Sequence, residues 1–258
     1  MPKAALLFDI DGVIRDVSAS YRRAITETVH HFSGIRPIPA DIDALKAEGY
    51  WNNDWHASME LLHRQVRDQF VDKPRPAFET LVEVFNGFYF GGDPEGEPED
   101  WTGFIGDEPL LVEASLFETI HTLGWTWGFV SGAEPPSARY VLEQRLRLKA
   151  PPLIAMGDAP DKPDPTGLLQ LSEALLTSIE ATTVAYLGDT VADVQTVIRA
   201  RAEQPGRTWI SLAVAPPHLH PHPAERRAYE QRLKDAGADH ILISTMAVTE
   251  WLQSSAQP

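Results

Sequence analysis

The chain contains no cysteine. Disulfides, thiolate zinc sites, iron–sulfur clusters and cysteine nucleophiles are therefore excluded. Positive charge is also scarce: 22 Lys and Arg stand against 37 Asp and Glu, a net charge of −15 with a pI near 4.9. A surface that holds DNA or RNA by its phosphates needs the opposite balance. No hydrophobic run approaches a bilayer span, and the apolar stretch Ala4–Phe8 turns acidic at Asp9, too early for the apolar region of a secretion signal. The expectation is a cytoplasmic protein with no nucleic-acid or membrane partner. Three familiar signatures are missing as well: there is no Walker A sequence, no G-x-G-x-x-G and no H-E-x-x-H. The stretch Gly128-Phe129-Val130-Ser131-Gly132 does not fit the G-x-S-x-G of a nucleophile elbow.

The residues that are present describe a globular chain. Its 258 residues, 43% hydrophobic and 23% charged, suffice for a large core, or a core with an insert, without staples. Apolar runs at 4–8, 126–130, 153–156, 183–187, 209–214 and 240–243 each end in a polar or glycine-bearing turn. Helical patterns at 116–123, 136–147, 165–178, 191–202, 224–236 and 246–252 separate most of them. That alternation predicts βαβ units and an α/β, Rossmann-like parallel sheet.

The first interval breaks the rhythm. More than a hundred residues separate the first two strands, and they read as helices at 17–32, 40–48, 54–70 and 75–90. The predicted organisation is a core domain of residues 1–15 and 109–258, with an all-helical cap at 16–108. The cap ends in a connector, 91–108, that holds seven acidic residues and no basic one.

Chemistry concentrates at the strand ends. The first strand delivers Asp9-Ile10-Asp11-Gly12, two carboxylates and a glycine that lets the chain bend. In an open parallel sheet the functional crevice lies beyond the carboxyl ends of the strands. The second strand ends in Ser131-Gly132, and the strand ending at Leu187 delivers Gly188-Asp189-Thr190-Val191-Ala192-Asp193. Between these lies Asp161-Lys162-Pro163-Asp164-Pro165. Carboxylates gathered at strand tips repel one another, by about 4 kcal/mol for a pair at about 4 Å and an effective dielectric near 20. Such a cluster calls for a cation; all-oxygen coordination with room for water suits Mg²⁺, with Lys162 adding positive charge. A metal, a lysine and a Ser-Gly amide together cradle phosphate.

This order of motifs resembles the haloacid dehalogenase (HAD) superfamily, with Asp9/Asp11, Ser131, Lys162 and Asp189/Asp193 matching its four signatures between residues 8 and 193. The helical insert after the first motif is similar to the cap of subfamily I. The resemblance implies that Asp9 is the nucleophile that becomes an aspartyl phosphate and Asp11 the general acid and base. It implies that Asp9, Asp11 through its backbone carbonyl, and Asp189 hold Mg²⁺, with Asp193 in the metal motif and orienting Lys162 or metal-bound water. Ser131 and the Gly132 amide would bind the phosphate, and Lys162 would neutralise developing charge. A carboxylate at Asp11 points to a phosphatase rather than a dehalogenase, because C–Cl cleavage needs no protonated leaving group. Val13 stands where many relatives carry Thr. A sugar phosphomutase with the same residues is the alternative, and a catalytically silent binding or regulatory module is a third.

The resemblance also implies that a cap loop about forty residues after the nucleophile contacts the substrate. Here that loop is Gly49-Tyr50-Trp51-Asn52-Asn53-Asp54-Trp55. Trp51, Asn52 and Asn53 are candidate contacts to a small phosphorylated metabolite; the alternative is a helix start with Asn53 or Asp54 as N-cap, Asp54 being the better cap. Tyr21, Arg22 and Arg23 offer an arginine for a distal acid, against a plain solvated helix face. His218, His220 and His222 alternate among prolines and read as an exposed extended loop rather than a metal site. The oligomeric state stays open between monomer and weak dimer.

Overall fold

The computed structural model describes residues 4–48, 50–51, 53–68, 75–177 and 183–255. Contacts divide the chain into two compact units, Met1–Asp16 with Pro109–Pro258, and Val17–Glu108.

The first unit is built on a six-stranded parallel sheet, β1 (Ala4–Phe8), β2 (Trp125–Val130), β3 (Leu153–Ile154), β4 (Thr183–Gly188), β5 (Thr208–Val214) and β6 (His240–Leu242), in the order β3-β2-β1-β4-β5-β6. It is the α/β, Rossmann-like sheet the alternation predicts. Every residue of β1 is buried, as a central strand covered on both faces requires. Successive side chains take opposite faces. Leu6 and Phe8 join Phe117 of α5 (Ser115–Thr122) and Leu252 of α10 (Val248–Ser255), whereas Ala5 and Leu7 join Leu168 of α7 (Thr166–Leu175) and Val197 of α8 (Val191–Glu203). The rings of Phe8, Phe117 and Phe129 interlock with centroids 5.5–6.1 Å apart.

Register does the positioning. Phe8 stands opposite Phe129 on one side and Leu187 on the other. The chain therefore emerges on one edge of the sheet at Asp9, Ser131 and Asp189, within two residues of a common level. Two helical segments differ from expectation. The predicted helix 136–147 is α6 (Pro135–Arg139) followed by a π-helical stretch, Tyr140–Arg145, and 246–252 splits into a 3₁₀ turn, Thr245–Ala247, and α10. The remaining helix of this unit, α9, covers Pro223–Asp235.

The second unit contains α1 (Tyr21–Ser33), α2 (Pro39–Ala47), α3 (Asp54–Asp68) and α4 (Phe78–Tyr89). Tyr21 stacks on Tyr89 at 4.3 Å and packs near Phe85 at 6.2 Å, joining α1 to α4. Helix α1 begins at Tyr21 rather than 17, because the Ser20 and Tyr21 amides both turn back to the Val17 carbonyl. It ends at Gly34, whose φ of 81° supplies the left-handed cap. Helix α4 begins at Phe78 rather than 75, since Pro76 disfavours helical backbone at the residue before it. The acidic connector is folded: it carries 3₁₀ turns at Pro98–Asp100 and Phe104–Asp107, and Trp101 packs edge-on against Phe90 at 4.7 Å. Glu108 is buried, and its Oε1 accepts hydrogen bonds from Ser20 Oγ and Tyr89 OH. Among the described residues no helix is long and apolar enough to cross a membrane.

Candidate active site

Asp9 leaves β1 with its amide still donating to the Leu187 carbonyl at 2.9 Å, so the sheet ladder fixes its backbone. One carboxylate oxygen, Oδ1, accepts from the Ile10 amide at 2.8 Å; the other, Oδ2, meets Lys162 Nζ at 2.8 Å. Two residues on, the chain turns at Gly12 with φ of +75°, where a Cβ would stand 2.0 Å from Asp189 Oδ2. The glycine is thus required twice, by its backbone conformation and by the acid pressed against it. Asp11, partly exposed, forms an ion pair through Oδ1 with Arg15 Nε at 2.7 Å.

Beyond β4 the backbone turns into α8, and Thr190 caps it reciprocally with Asp193. Thr190 Oγ1 accepts from the Asp193 amide at 3.2 Å, while Asp193 Oδ2 accepts from the Thr190 amide at 2.9 Å and its hydroxyl at 2.6 Å. The other oxygen, Asp193 Oδ1, accepts from Lys162 Nζ at 2.5 Å and lies 3.1 Å from Tyr186 OH. Tyr186 OH also lies 2.8 Å from the Val130 carbonyl and 3.3 Å from Lys162 Nζ. With one proton and two acceptors, the phenol links the ends of β2 and β4 through the lysine between them. Tyr229 of α9 donates to the Asp189 carbonyl at 3.1 Å, holding that turn from the far side.

These charges perturb one another. Burial pushes the Asp9 carboxyl from its ordinary 3.8 up to about 6, against the pull of Lys162. Burial, reinforced by Asp193 and Asp9, drives Asp189 well above its ordinary value. Burial acts on Asp193 in the same direction, but Lys162 and the Thr190 bonds outweigh it and hold that carboxyl low. Burial opposes the charge on Lys162, yet Asp193 and Asp9 overcome it and keep the ammonium firmly protonated.

Asp9, Asp189 and Asp193 each offer an oxygen within 4.8 Å of the others. Oxygens around Mg²⁺ at about 2.1 Å span up to about 4.2 Å, so a small adjustment admits a hard divalent cation. The charge agrees: three carboxylates and one ammonium leave two negative charges uncompensated, since Arg15 pairs with Asp11. Asp193 receives Lys162 on one oxygen and both the amide and the hydroxyl of Thr190 on the other, which makes it the anchor of Lys162; Asp9 has one donor on each oxygen, and Asp189 is the most open of the three.

Ser131 is buried at the end of β2, its amide donating to Ile154 and its Oγ accepting from the Ala133 amide at 3.2 Å. Gly132 beside it is exposed, with open space where a side chain would stand. In the other unit, Trp51 Nε1 donates to Glu48 Oε2 at 2.9 Å, and Arg64 grips the same carboxylate, holding its pKa at about 2. Asn53 Oδ1 accepts from the His56 amide at 3.0 Å, so Asn53 rather than Asp54 caps α3. Asp54 is the first helical residue instead, and pairs with Lys46. Asn52 lies outside the described residues. Tyr21 is buried, Arg22 pairs with Asp43, and Arg23 lies over the Phe104 ring at 3.9 Å. The histidine segment is not extended throughout as expected: His218 lies in a 3₁₀ turn, Pro217–Leu219, and His220 Nε2 sits 2.9 Å from the Ala215 carbonyl, while His220 and His222 are exposed. Among the described residues, the one group of three or more His, Asp or Glu side chains able to share an ion is Asp9, Asp189 and Asp193.

Four residues of this arrangement escape sequence reasoning: Arg15, Tyr186, Thr190 and Tyr229. Thr190 alone carried a local signal, the T-x-x-D spacing of a capping box.

Comparison with known proteins agrees with the geometry. A protein of Phytophthora nicotianae described as imidazoleglycerol-phosphate dehydratase is 33% identical over 196 residues, covering 75% of this chain. The chain spans 40% of that relative's length. Among solved structures, a phosphonoacetaldehyde hydrolase-like protein from Oleispira antarctica superposes with a TM-score of 0.68 at 16% identity, covering 100% of this chain and 96% of the other. Phosphatase Tt82 from Thermococcus thioreducens gives 0.61 at 22% identity, over 89% and 98% of the two chains. A HAD family hydrolase from Deinococcus radiodurans R1, solved with bound phosphate and sodium, gives 0.64 at 16% identity over 97% and 95%. Those likenesses are of fold. The family model for haloacid dehalogenase-like hydrolases matches residues 3–201, from the first strand into α8, and the chain belongs to that family of hydrolases.

Proposed function

We propose that the chain is a Mg²⁺-dependent phosphatase that hydrolyses a small phosphomonoester through an aspartyl phosphate on Asp9. The observation that carries this reading is the buried Asp9 carboxylate, held between an amide and Lys162 in a cluster two positive charges short of neutrality. Held by Asp9, Asp189 and the Asp11 backbone carbonyl, Mg²⁺ would supply the charge that lets an anionic nucleophile meet an anionic ester.

The residues divide the work as follows. An Asp9 oxygen attacks phosphorus, the bond from phosphorus to the ester oxygen breaks, and Asp11 gives its proton to the departing alcohol. Asp11, now a carboxylate, takes a proton from water; the hydroxide bonds to phosphorus, the Asp9–phosphorus bond breaks, and phosphate and the free carboxylate return. Lys162, fixed by Asp193 and Tyr186, offsets charge on the phosphoryl oxygens. The Ser131 hydroxyl and Gly132 amide bind those oxygens.

A screen of phosphorylated metabolites with Mg²⁺, read as inorganic phosphate released, tests the reading. Wild type should hydrolyse a subset of small esters, and Asp9→Asn should lose at least about 1,000-fold in kcat. Unimpaired turnover by Asp9→Asn refutes the aspartyl phosphate. Interconversion of a sugar phosphate without phosphate release would identify a mutase, and a silent wild type a binding module.

A further inference from the structure

Arg15 heads the largest fully buried side chains of the described residues, with 0% exposure. The main chain places it: the Gly12 amide donates to the Arg15 carbonyl at 2.9 Å, the Arg15 amide donates to the Ile10 carbonyl at 3.2 Å, and Arg15 bridges to Leu110. Its guanidinium reaches two ways. Nε donates to Asp11 Oδ1 and Nη2 to Ser137 Oγ, both at 2.7 Å. Ser137 is itself buried on α6, the short helix that follows the Ser131-Gly132 turn.

A methionine or leucine would fill this volume without stripping water from a cation. Burying a guanidinium is tolerable only where its partners answer its fixed, planar donors. Its partners include the proposed acid/base and the helix behind the proposed phosphate loop. We propose that Arg15 is a positioning residue for Asp11. It grips Oδ1, so the exchangeable proton is carried on Oδ2, and through Ser137 it ties the acid/base to the phosphate-binding turn. The inference rests on the phosphatase reading, and the steps Asp11 serves supply its test.

Protonation of the departing oxygen matters for an alkyl phosphate and hardly at all for p-nitrophenyl phosphate, whose phenolate leaves unaided. Activation of water matters for both. In Arg15→Met, with Mg²⁺, the pre-steady-state burst of p-nitrophenolate should stay within about threefold of wild type, while steady-state turnover falls about 100-fold. Turnover of an alkyl phosphate should fall at least as far with KM within about twofold, and its burst should fall too. Arg15→Lys, which keeps the charge with fewer donors, should recover about tenfold. Ser137→Ala, which leaves the Arg15–Asp11 pair intact, should show the same leaving-group signature at about fivefold.

Wild-type kcat in Arg15→Met overturns the proposal, as does an equal loss of burst and turnover on both esters with raised KM, the mark of a purely structural role. Should Arg15→Met fail to fold, Arg15→Lys and Ser137→Ala decide: a loss confined to the steps that need Asp11 supports the proposal, and its absence overturns it. A wild type inactive on every ester overturns the phosphatase reading and this inference with it, whereas an active wild type with unimpaired variants overturns this inference alone.

Discussion

Replacing Asp189 by Asn separates what this acid costs the fold from what it contributes to the site. Its carboxylate is buried against Gly12, and the hydrogen bonds of the described residues include none to its oxygens. Without a cation it faces Asp9 and Asp193, each with an oxygen within 4.8 Å. At that separation and an effective dielectric near 20, each pair of like charges costs about 3.5 kcal/mol. Lys162 attracts Asp189 more weakly than either acid repels it. Burial is the largest part of the cost of ionising Asp189, and the neighbouring charges alone add about 4 kcal/mol, or roughly 10 °C in melting temperature for a core of this size.

The sign follows from the raised pKa. A carboxyl whose folded pKa exceeds its unfolded value contributes stability below the unfolded pKa of 3.8, and that stability is lost as pH rises through the folded value. Asp189→Asn should therefore melt with wild type near pH 4 and above it near pH 8, when both are in EDTA. Excess Mg²⁺ should close most of the gap near pH 8, because wild type gains about 2.7 kcal/mol at a hundredfold excess over Kd and the variant lacks a ligand. Thermal melts at the two pH values, with EDTA or Mg²⁺, supply all four comparisons. A variant no more stable than wild type near pH 8 in EDTA would refute the electrostatic account of the cluster.

Two further substitutions probe the supports of the site. Gly12→Ala places a methyl group 2.0 Å from Asp189 Oδ2 at a φ of +75°, so it should cost about 1–2 kcal/mol in backbone strain and abolish the Mg²⁺-dependent rise in melting temperature; an unchanged Mg²⁺ response in melting scans would count against the close approach. Tyr186→Phe removes the hydroxyl shared by Val130, Asp193 and Lys162, which should cost about 1–3 kcal/mol and lower kcat about tenfold at constant KM. Steady-state kinetics and denaturant melts measure both, and wild-type kcat would confine Tyr186 to packing.

Asp9 and Asp189 were legible because each stands one or two residues past an apolar run, and a parallel sheet in register brings such positions to one edge. Lys162, six residues past the run 153–156, was legible instead as a lysine in a proline-bearing turn between two such strands. Arg15 did not follow from either signal: four residues past Asp11 and just before Asp16, it has the neighbours of a surface arginine. Its burial depends on Ser137, 122 residues away in sequence. Tyr186 was hidden differently, since a tyrosine within an apolar strand reads as core, and only the register of β4 and β2 reveals what its hydroxyl meets. At α3, Asn53 and Asp54 are both good caps, and the choice fell to backbone geometry that adjacent residues do not encode.

How the fold tolerates so many acids is a matter of what surrounds them. Glycine makes the crowding possible: at Gly188 a Cβ would stand 2.3 Å from the Asp193 Cβ, as at Gly12 it would strike Asp189. Lysine and cap make part of it bearable, because Asp193 takes the Lys162 ammonium on one oxygen and the amide and hydroxyl of Thr190, the N-cap of α8, on the other. Burial, with the like charges those partners leave uncompensated, appears as the raised pKa values of Asp9 and Asp189, the two acids of the buried trio with the fewest donors. The instability is therefore local, confined to the turns at the sheet's edge, and is carried by strands whose apolar faces pack independently of it. A site with a standing deficit of positive charge at the edge of a rigid sheet is prepared for a divalent cation, and the same deficit accounts for why its residues stand out in an otherwise ordinary acidic sequence.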